Sequence, residues 1–227
     1  MPSKKVIVAL DSNDLDKTLK LVKNLKKDAY AFKLGYQFFL NFGLIGYKKI
    51  YSVSPRIFLD LKLHDIPNTV KKGLEALKKI KPIFTTVHIS GGDDMMLAAK
   101  IKGMKTKILG VSILTSLDSN QTKKYYNKNK IITLVKNFAK AAKKNNLDGI
   151  ICSPKEIKHI RKEVGKKFLI ITPGIRINKN IESDDQKRIE TPKRAVDMGA
   201  NFLVIGRPIT NSDDPLKVLK EINKTLS

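Results

Sequence analysis

The sequence predicts an α/β protein folded as a closed (β/α)8, or TIM, barrel forming a single domain over residues 1–227. Three observations lead there. Short apolar runs alternate eight times with longer amphipathic segments, no Gly/Ser/Pro-rich linker divides the chain, and no nucleotide-binding glycine loop follows the first run. Strands separated by helices pair in parallel through right-handed crossovers. Eight such units in 227 residues suit a barrel better than an open sheet. An open sheet would carry G-x-G-x-x-G or G-x-x-x-x-G-K-[ST], and strand one here runs into Ala9-Leu10-Asp11-Ser12-Asn13.

Strands are expected at 6–11, 29–34, 56–61, 83–89, 107–114, 149–152, 168–172 and 202–206. Each is four to eight residues rich in Val, Ile, Leu or Phe, as strands covered on both faces require. Helices are expected at 15–25, 36–50, 69–80, 95–102, 131–145, 154–164, 192–198 and 214–226. Ser153-Pro154 and Thr191-Pro192 each offer a cap followed by proline at the first helical position. Ser212-Asp213-Asp214-Pro215 opens the last helix with acidic residues against the helix dipole. Gly91-Gly92 suits a tight turn into a helix capped by Asp93.

Lys plus Arg number 45 against 21 Asp plus Glu, a formal charge of +24. Only 6 of the cations are Arg. Nucleic-acid readers cluster arginine for its fork geometry, whereas these lysines spread over the polar faces of nearly every helix, as in LKLVKNLKK at 19–27. A solvated lysine face is expected, with no specific nucleic-acid partner. The field still favours an anionic small substrate. No apolar run reaches the ~20 residues of a membrane span, and a single Cys gives no disulfide framework or cysteine zinc site. A soluble, cytoplasmic protein is expected.

A (β/α)8 enzyme works at the C-terminal ends of its strands. Here those ends carry Asp11, Lys33, Asp60-Leu61-Lys62-Leu63-His64-Asp65, His88, Thr115-Ser116, Gly174-Ile175-Arg176 and Gly206-Arg207. On strand three a period of two turns Asp60, Lys62 and His64 one way and Leu59, Leu61 and Leu63 the other. With the leucines against helices, Asp60 and Lys62 point into the mouth, where charges are costly unless paired. Lys33 and Asp65 extend them to an alternating array. By itself such an array reads as chemistry or as an ion-pair network that fixes register. His88 reads as a hydrogen-bond donor in the site or as a loop anchor. Cys152 reads as a small buried filler. The three histidines lack the spacing of metal ligands. Strands seven and eight of such barrels commonly hold a phosphate, and here they supply glycines for close N–H approach and two arginines for bidentate contact. The polar stretch 177–189 (INKNIESDDQKRI) reads as a lid or as a plain solvated loop, with Gln186 a neutral donor within it.

At these residues the sequence resembles the orotidine 5′-phosphate decarboxylases, in their short single-function bacterial form. The resemblance is carried by Val8-Ala9-Leu10-Asp11, Lys33-Leu34-Gly35, Asp60-Leu61-Lys62-Leu63-His64-Asp65-Ile66-Pro67-Asn68-Thr69 and Val87-His88-Ile89-Ser90-Gly91-Gly92. It continues through Leu114-Thr115-Ser116, Thr172-Pro173-Gly174-Ile175-Arg176 and Val204-Ile205-Gly206-Arg207-Pro208-Ile209-Thr210, in family order over essentially the whole chain. It implies conversion of orotidine 5′-monophosphate to UMP and CO2, the last step of de novo pyrimidine synthesis, by a homodimer without metal or organic cofactor. It also implies that Lys62 protonates C6 and that Asp60 lies against the departing carboxylate. Lys33 and Asp65 complete the charged array, with Asp65 and Thr69 reaching the neighbouring subunit's site. Asp11 and Lys33 would hold the ribose hydroxyls, and Thr115 or Ser116 the base. Arg176, Gln186, Gly206 and Arg207 would hold the phosphate. Ser183-Asp184-Asp185-Gln186 departs from the family's Gly-Asp-Gln ending. Two other readings have distinct signatures: a Mg2+-dependent decarboxylase or aldolase of the same barrel superfamily, and a basic protein that binds RNA or anionic membranes.

Overall fold

A computed structural model describes residues 4–127, 130–176 and 189–226. Strand β1 (Val6–Ala9) leads to α1 (Leu15–Leu25), β2 (Ala31–Leu34) to α2 (Tyr36–Val53), and β3 (Ile57–Leu63) to α3 (Pro67–Leu77). Strand β4 (Phe84–His88) precedes α4 (Asp93–Ala98), and β5 (Lys107–Val111) precedes α5 (Ser119–Tyr126) and α6 (Ile131–Lys144). Then follow β6 (Gly149–Ile151), α7 (Ile157–Val164), β7 (Leu169–Thr172), α8 (Pro192–Asp197), β8 (Phe202–Ile205), α9 (Arg207–Thr210) and α10 (Pro215–Thr225). Every strand pairs in parallel with its sequence neighbours, and β8 closes on β1. The eightfold alternation of the sequence is therefore realised as a closed barrel.

Local chemistry sets the helix starts. Asp14 accepts the Lys17 N–H at 2.9 Å to cap α1, whose buried Thr18, Val22 and Leu25 recur at helical spacing. Ser153 and Glu156 form a reciprocal capping box, so the 154–164 segment begins as a 3-10 turn before α7. Asp214 caps α10 through Lys217 N–H. One expectation needs correction. Asp93 is the first residue of α4 and not its cap; Gly92, at φ 89°, takes the cap position, while the Asp93 carboxylate accepts from Asn145 at 2.7 Å. Thr191 holds the cap position of α8 with Pro192 following, as expected, though without a side-chain capping bond. The sequence reading also passed over α5, where Asp118 and Gln121 build a capping box, and the one-turn α9.

Two apolar layers hold the barrel. Inside, Ile7, Ala9, Ala31, Phe58, Phe84, Leu109, Ile171 and Val204 fill the bore, and Tyr30 stacks on Phe202 at 4.1 Å beneath Arg56. Outside, strand residues such as Leu34, Leu59, Ile150 and Leu203 join Val22, Leu74, Ile160 and Leu219 of the helices in one cluster. The bore is a packed core, so open space lies beyond its ends. Among the described residues no helix is long and apolar enough to cross a membrane.

Candidate active site

A cavity of about 510 Å³ opens at the C-terminal edge of the strands. It is lined by Asp11, Lys33, Asp60, Lys62, Thr115, Arg176, Gly206 and Arg207, all expected from the sequence, and also by Gln37, Cys152 and Asn211.

One side is a chain of alternating charges. Asp11 Oδ1 lies 3.5 Å from Lys33 Nζ, Lys33 Nζ 3.7 Å from Asp60 Oδ2, and Asp60 Oδ2 2.8 Å from Lys62 Nζ. Asp60 is buried at 7% exposure, so a lone carboxylate there would carry a large desolvation cost. Burial pushes its carboxyl up, but Lys33, Lys62 and hydrogen bonds from Lys62 and Thr86 outweigh this and hold it below the ordinary carboxylate range. Lys62 keeps access to the cavity with about a quarter of its side chain exposed. Gly35 packs closely against two of these groups. A Cβ there would stand 3.1 Å from Lys33 Nζ and 3.3 Å from Asp11 Oδ1.

Lys62 faces the mouth as the alternation predicts, though by a different geometry. Between Leu59 and Leu63 the ladder to β4 slips: Leu59 pairs with Thr85 and Leu63 with Val87, so four steps on β3 match two on β4. Lys62 occupies this bulge at φ 45°, a left-handed conformation uncommon outside glycine. His64, sharing a face with Lys62 in an ideal strand, is exposed, its ring 5.1 Å from that of His88. Burial, with His64 and Lys62 nearby, pushes His88 down to about 4 against the opposing pull of Asp60. His88 is thus neutral near pH 7.

The ends of β7 and β8, next to β1 in the closed barrel, carry the residues expected to meet an anion. Arg176 is buried at 6% exposure and donates to the Ile175 carbonyl at 2.9 Å, while Arg207 is exposed at the start of α9. Gly206 packs against β1, where a Cβ would meet that of Ala9 at 3.4 Å. Thr115 lines the cavity and Ser116 is not among the lining residues. Gln186 lies outside the described residues. Asp65 and Thr69 are exposed and do not line their own chain's cavity; Asp65 Oδ1 accepts from the Ile66 N–H at 2.7 Å. The array within one chain therefore ends in Asp11 at one side and Lys62 at the other.

Sequence reasoning missed Gln37, Asn211 and Thr86. Gln37 and Asn211 follow strands two and eight, positions that a polar residue after a strand end could have flagged. Thr86 lies two residues before His88, and the same period of two that served strand three places it inward. Cys152 is buried as expected but borders the cavity.

A family model described as orotidine 5′-phosphate decarboxylase / HUMPS family matches residues 4–222. An orotidine 5′-phosphate decarboxylase from Wolbachia sp. subsp. Brugia malayi is 43% identical over 224 residues, covering 98% of this chain and 99% of that protein. Another, from Pseudoalteromonas translucida, is 42% identical over 99% of this chain and 97% of its own length. The crystal structure of orotidine 5′-phosphate decarboxylase from Lactobacillus acidophilus matches with a TM-score of 0.86 and 36% identity, over 99% of this chain and 100% of that one. The matched span runs through every strand that lines the cavity, and the chain belongs to the orotidine 5′-phosphate decarboxylase / HUMPS family.

Proposed function

We propose that this protein converts orotidine 5′-monophosphate to UMP and CO2, with Lys62 as the proton donor to C6 of the pyrimidine. The observation that carries the reading is the Lys62 ammonium, 2.8 Å from a buried carboxylate and open to a cavity that Arg176 and Arg207 also line. When the C6–carboxyl bond breaks, its electron pair stays on C6 in an orbital that the ring does not delocalise. A fixed ammonium beside that carbon stabilises the charge as it develops. It then passes a proton to C6 and is reprotonated from solvent, so one proton is consumed per CO2 released. The reading calls for no metal or organic cofactor.

Asp60 is the group against which the substrate carboxylate would lie, and its two lysine partners keep it ionised. Asp11 and Lys33, joined at 3.5 Å, suit the ribose hydroxyls as acceptor and donor. Thr115 suits the base, and Arg176, Gly206 and Arg207, with Gln186, suit the phosphate. Phosphate contacts far from C6 would contribute binding energy that orders the reacting groups.

The reading includes a homodimer in which Asp65 and Thr69 serve the partner's cavity. It is supported by large apolar side chains left exposed on this chain: Ile66 after Asp65 at 66%, Leu40 and Ile45 on α2 at 81% and 73%, and Leu97 on α4 at 51%.

Loss of orotidylate absorbance on mixing with EDTA-treated protein tests the reading. Turnover without added metal is expected. Strict dependence on Mg2+, or inertness towards orotidylate with salt-sensitive binding of RNA or anionic vesicles, would favour the competing readings instead.

A further inference from the structure

We infer that Thr86 is a positioning residue for this reaction, fastening the Asp60 carboxylate and the Lys62 backbone into one unit, with Tyr36 holding the other end of the same peptide group. The inference rests on the reading of Lys62 as proton donor. Thr86 is fully buried on β4, two residues beyond Phe84, which faces the bore. Its hydroxyl donates to Asp60 Oδ1 at 2.8 Å and accepts from the Lys62 N–H at 2.8 Å. A carboxylate can only accept and an amide can only donate, so the direction of both bonds is fixed. The carboxylate is thereby divided: Oδ1 is tied to Thr86, while Oδ2 is left for Lys62 at 2.8 Å and Lys33 at 3.7 Å.

The backbone bond matters because the ladder fails at this point. The bulge places the peptide between Leu61 and Lys62 outside the regular β3–β4 register. Its N–H goes to Thr86, and its carbonyl accepts from Tyr36 Oη at 2.8 Å. Both ends of that peptide are thus held by side chains, at the residue whose φ is 45°. The adjacent Thr85 is equally buried, yet its hydroxyl has no hydrogen-bond partner. Two neighbouring threonines on one strand thus differ in the property at issue.

The test is steady-state turnover of orotidylate together with UMP affinity in Thr86→Val, Thr86→Ser and Thr85→Val. For Thr86→Val, kcat should fall by about 100-fold while the UMP dissociation constant stays within about threefold, because misplacement of the reacting groups costs turnover and not phosphate binding. Thr86→Ser, which restores the hydroxyl, should recover most of the loss, and Thr85→Val should match the wild type. Wild-type kcat in Thr86→Val, or a parallel loss of kcat and UMP affinity, overturns the inference. Should Thr86→Val not fold, Tyr36→Phe decides: reduced kcat at unchanged UMP affinity supports the clamp, and unaltered kcat overturns it. Inertness of the wild-type protein towards orotidylate would instead sink the functional reading itself.

Discussion

Lys62 Nζ stands 2.8 Å from Asp60 Oδ2 within the stretch where the β3–β4 register slips, with the Lys62 backbone at φ 45°. The pair is held from several sides: Lys33 approaches the same oxygen at 3.7 Å and Thr86 takes the other at 2.8 Å. An ammonium so fixed needs little rearrangement when negative charge appears beside it, which is the condition under which electrostatic stabilisation is most effective.

Lys62→Ala should lower kcat for orotidylate by at least about 10³-fold, the scale of a lost proton donor that also stabilises charge. UMP affinity should remain within about tenfold, because the residues proposed to hold the phosphate, after β7 and β8, are untouched. Isothermal titration beside the activity assay separates the two. Near-normal turnover in this variant would remove Lys62 from the mechanism.

The two arginines should behave differently. Arg207 is exposed, so Arg207→Ala should raise KM by about 10- to 100-fold, the worth of a charge-assisted phosphate contact, and leave thermal stability unchanged. Arg176 is buried and bonded to the Ile175 carbonyl, so Arg176→Ala should raise KM and lower the melting temperature together. Orotidine lacking its phosphate should be far less sensitive to either change. Equal sensitivity of both substrates would place the arginines elsewhere.

His88 predicts a pH dependence of stability. Its folded pKa of about 4 lies below the ordinary value of 6.5, so the unfolded chain takes up the proton first. Stability from this residue is therefore complete above about pH 6.5 and declines as pH falls towards 4. Because His88 is only partly buried, the loss should be about 1–2 kcal/mol and not the full value of the shift. Urea unfolding at pH 4.5 and 7 should show a smaller difference in His88→Gln than in the wild type. Identical differences would contradict the assignment.

Leu40 and Ile45 are exposed at 81% and 73% on α2. If these side chains form the contact of the proposed homodimer, a double change of both to Glu should shift it from dimer to monomer in sedimentation velocity, since charges in an apolar contact lack partners. Activity should fall with dimerisation, because Asp65 and Thr69 would no longer reach a second cavity. A fully active monomer would refute their role across the interface.

Much of this site was legible because sequence spacing and strand geometry share a period. The eight apolar runs fixed the number of strands, and the charged residue after each run fell on the cavity for Asp11, Lys33, Asp60, Lys62, Arg176 and Arg207. Gln186 was also named from the sequence but lies outside the described residues. Thr86 was passed over because a threonine in a β-rich run is ordinary strand material; only a carboxylate and an amide arriving from the neighbouring strand distinguish it from Thr85.

By itself the amino-acid order determined the alternation of strand and helix, the closure into a barrel and which end would carry charge, since these follow from local periodicity and chain length. Tertiary structure alone decided that Asp11 and not Asp65 completes the charged row within one chain, that β3 slips against β4 at Lys62, and that two histidines meet at 5.1 Å. The physical reason is that these relations join atoms on different strands. Their distances depend on register and bulge, which no single segment encodes.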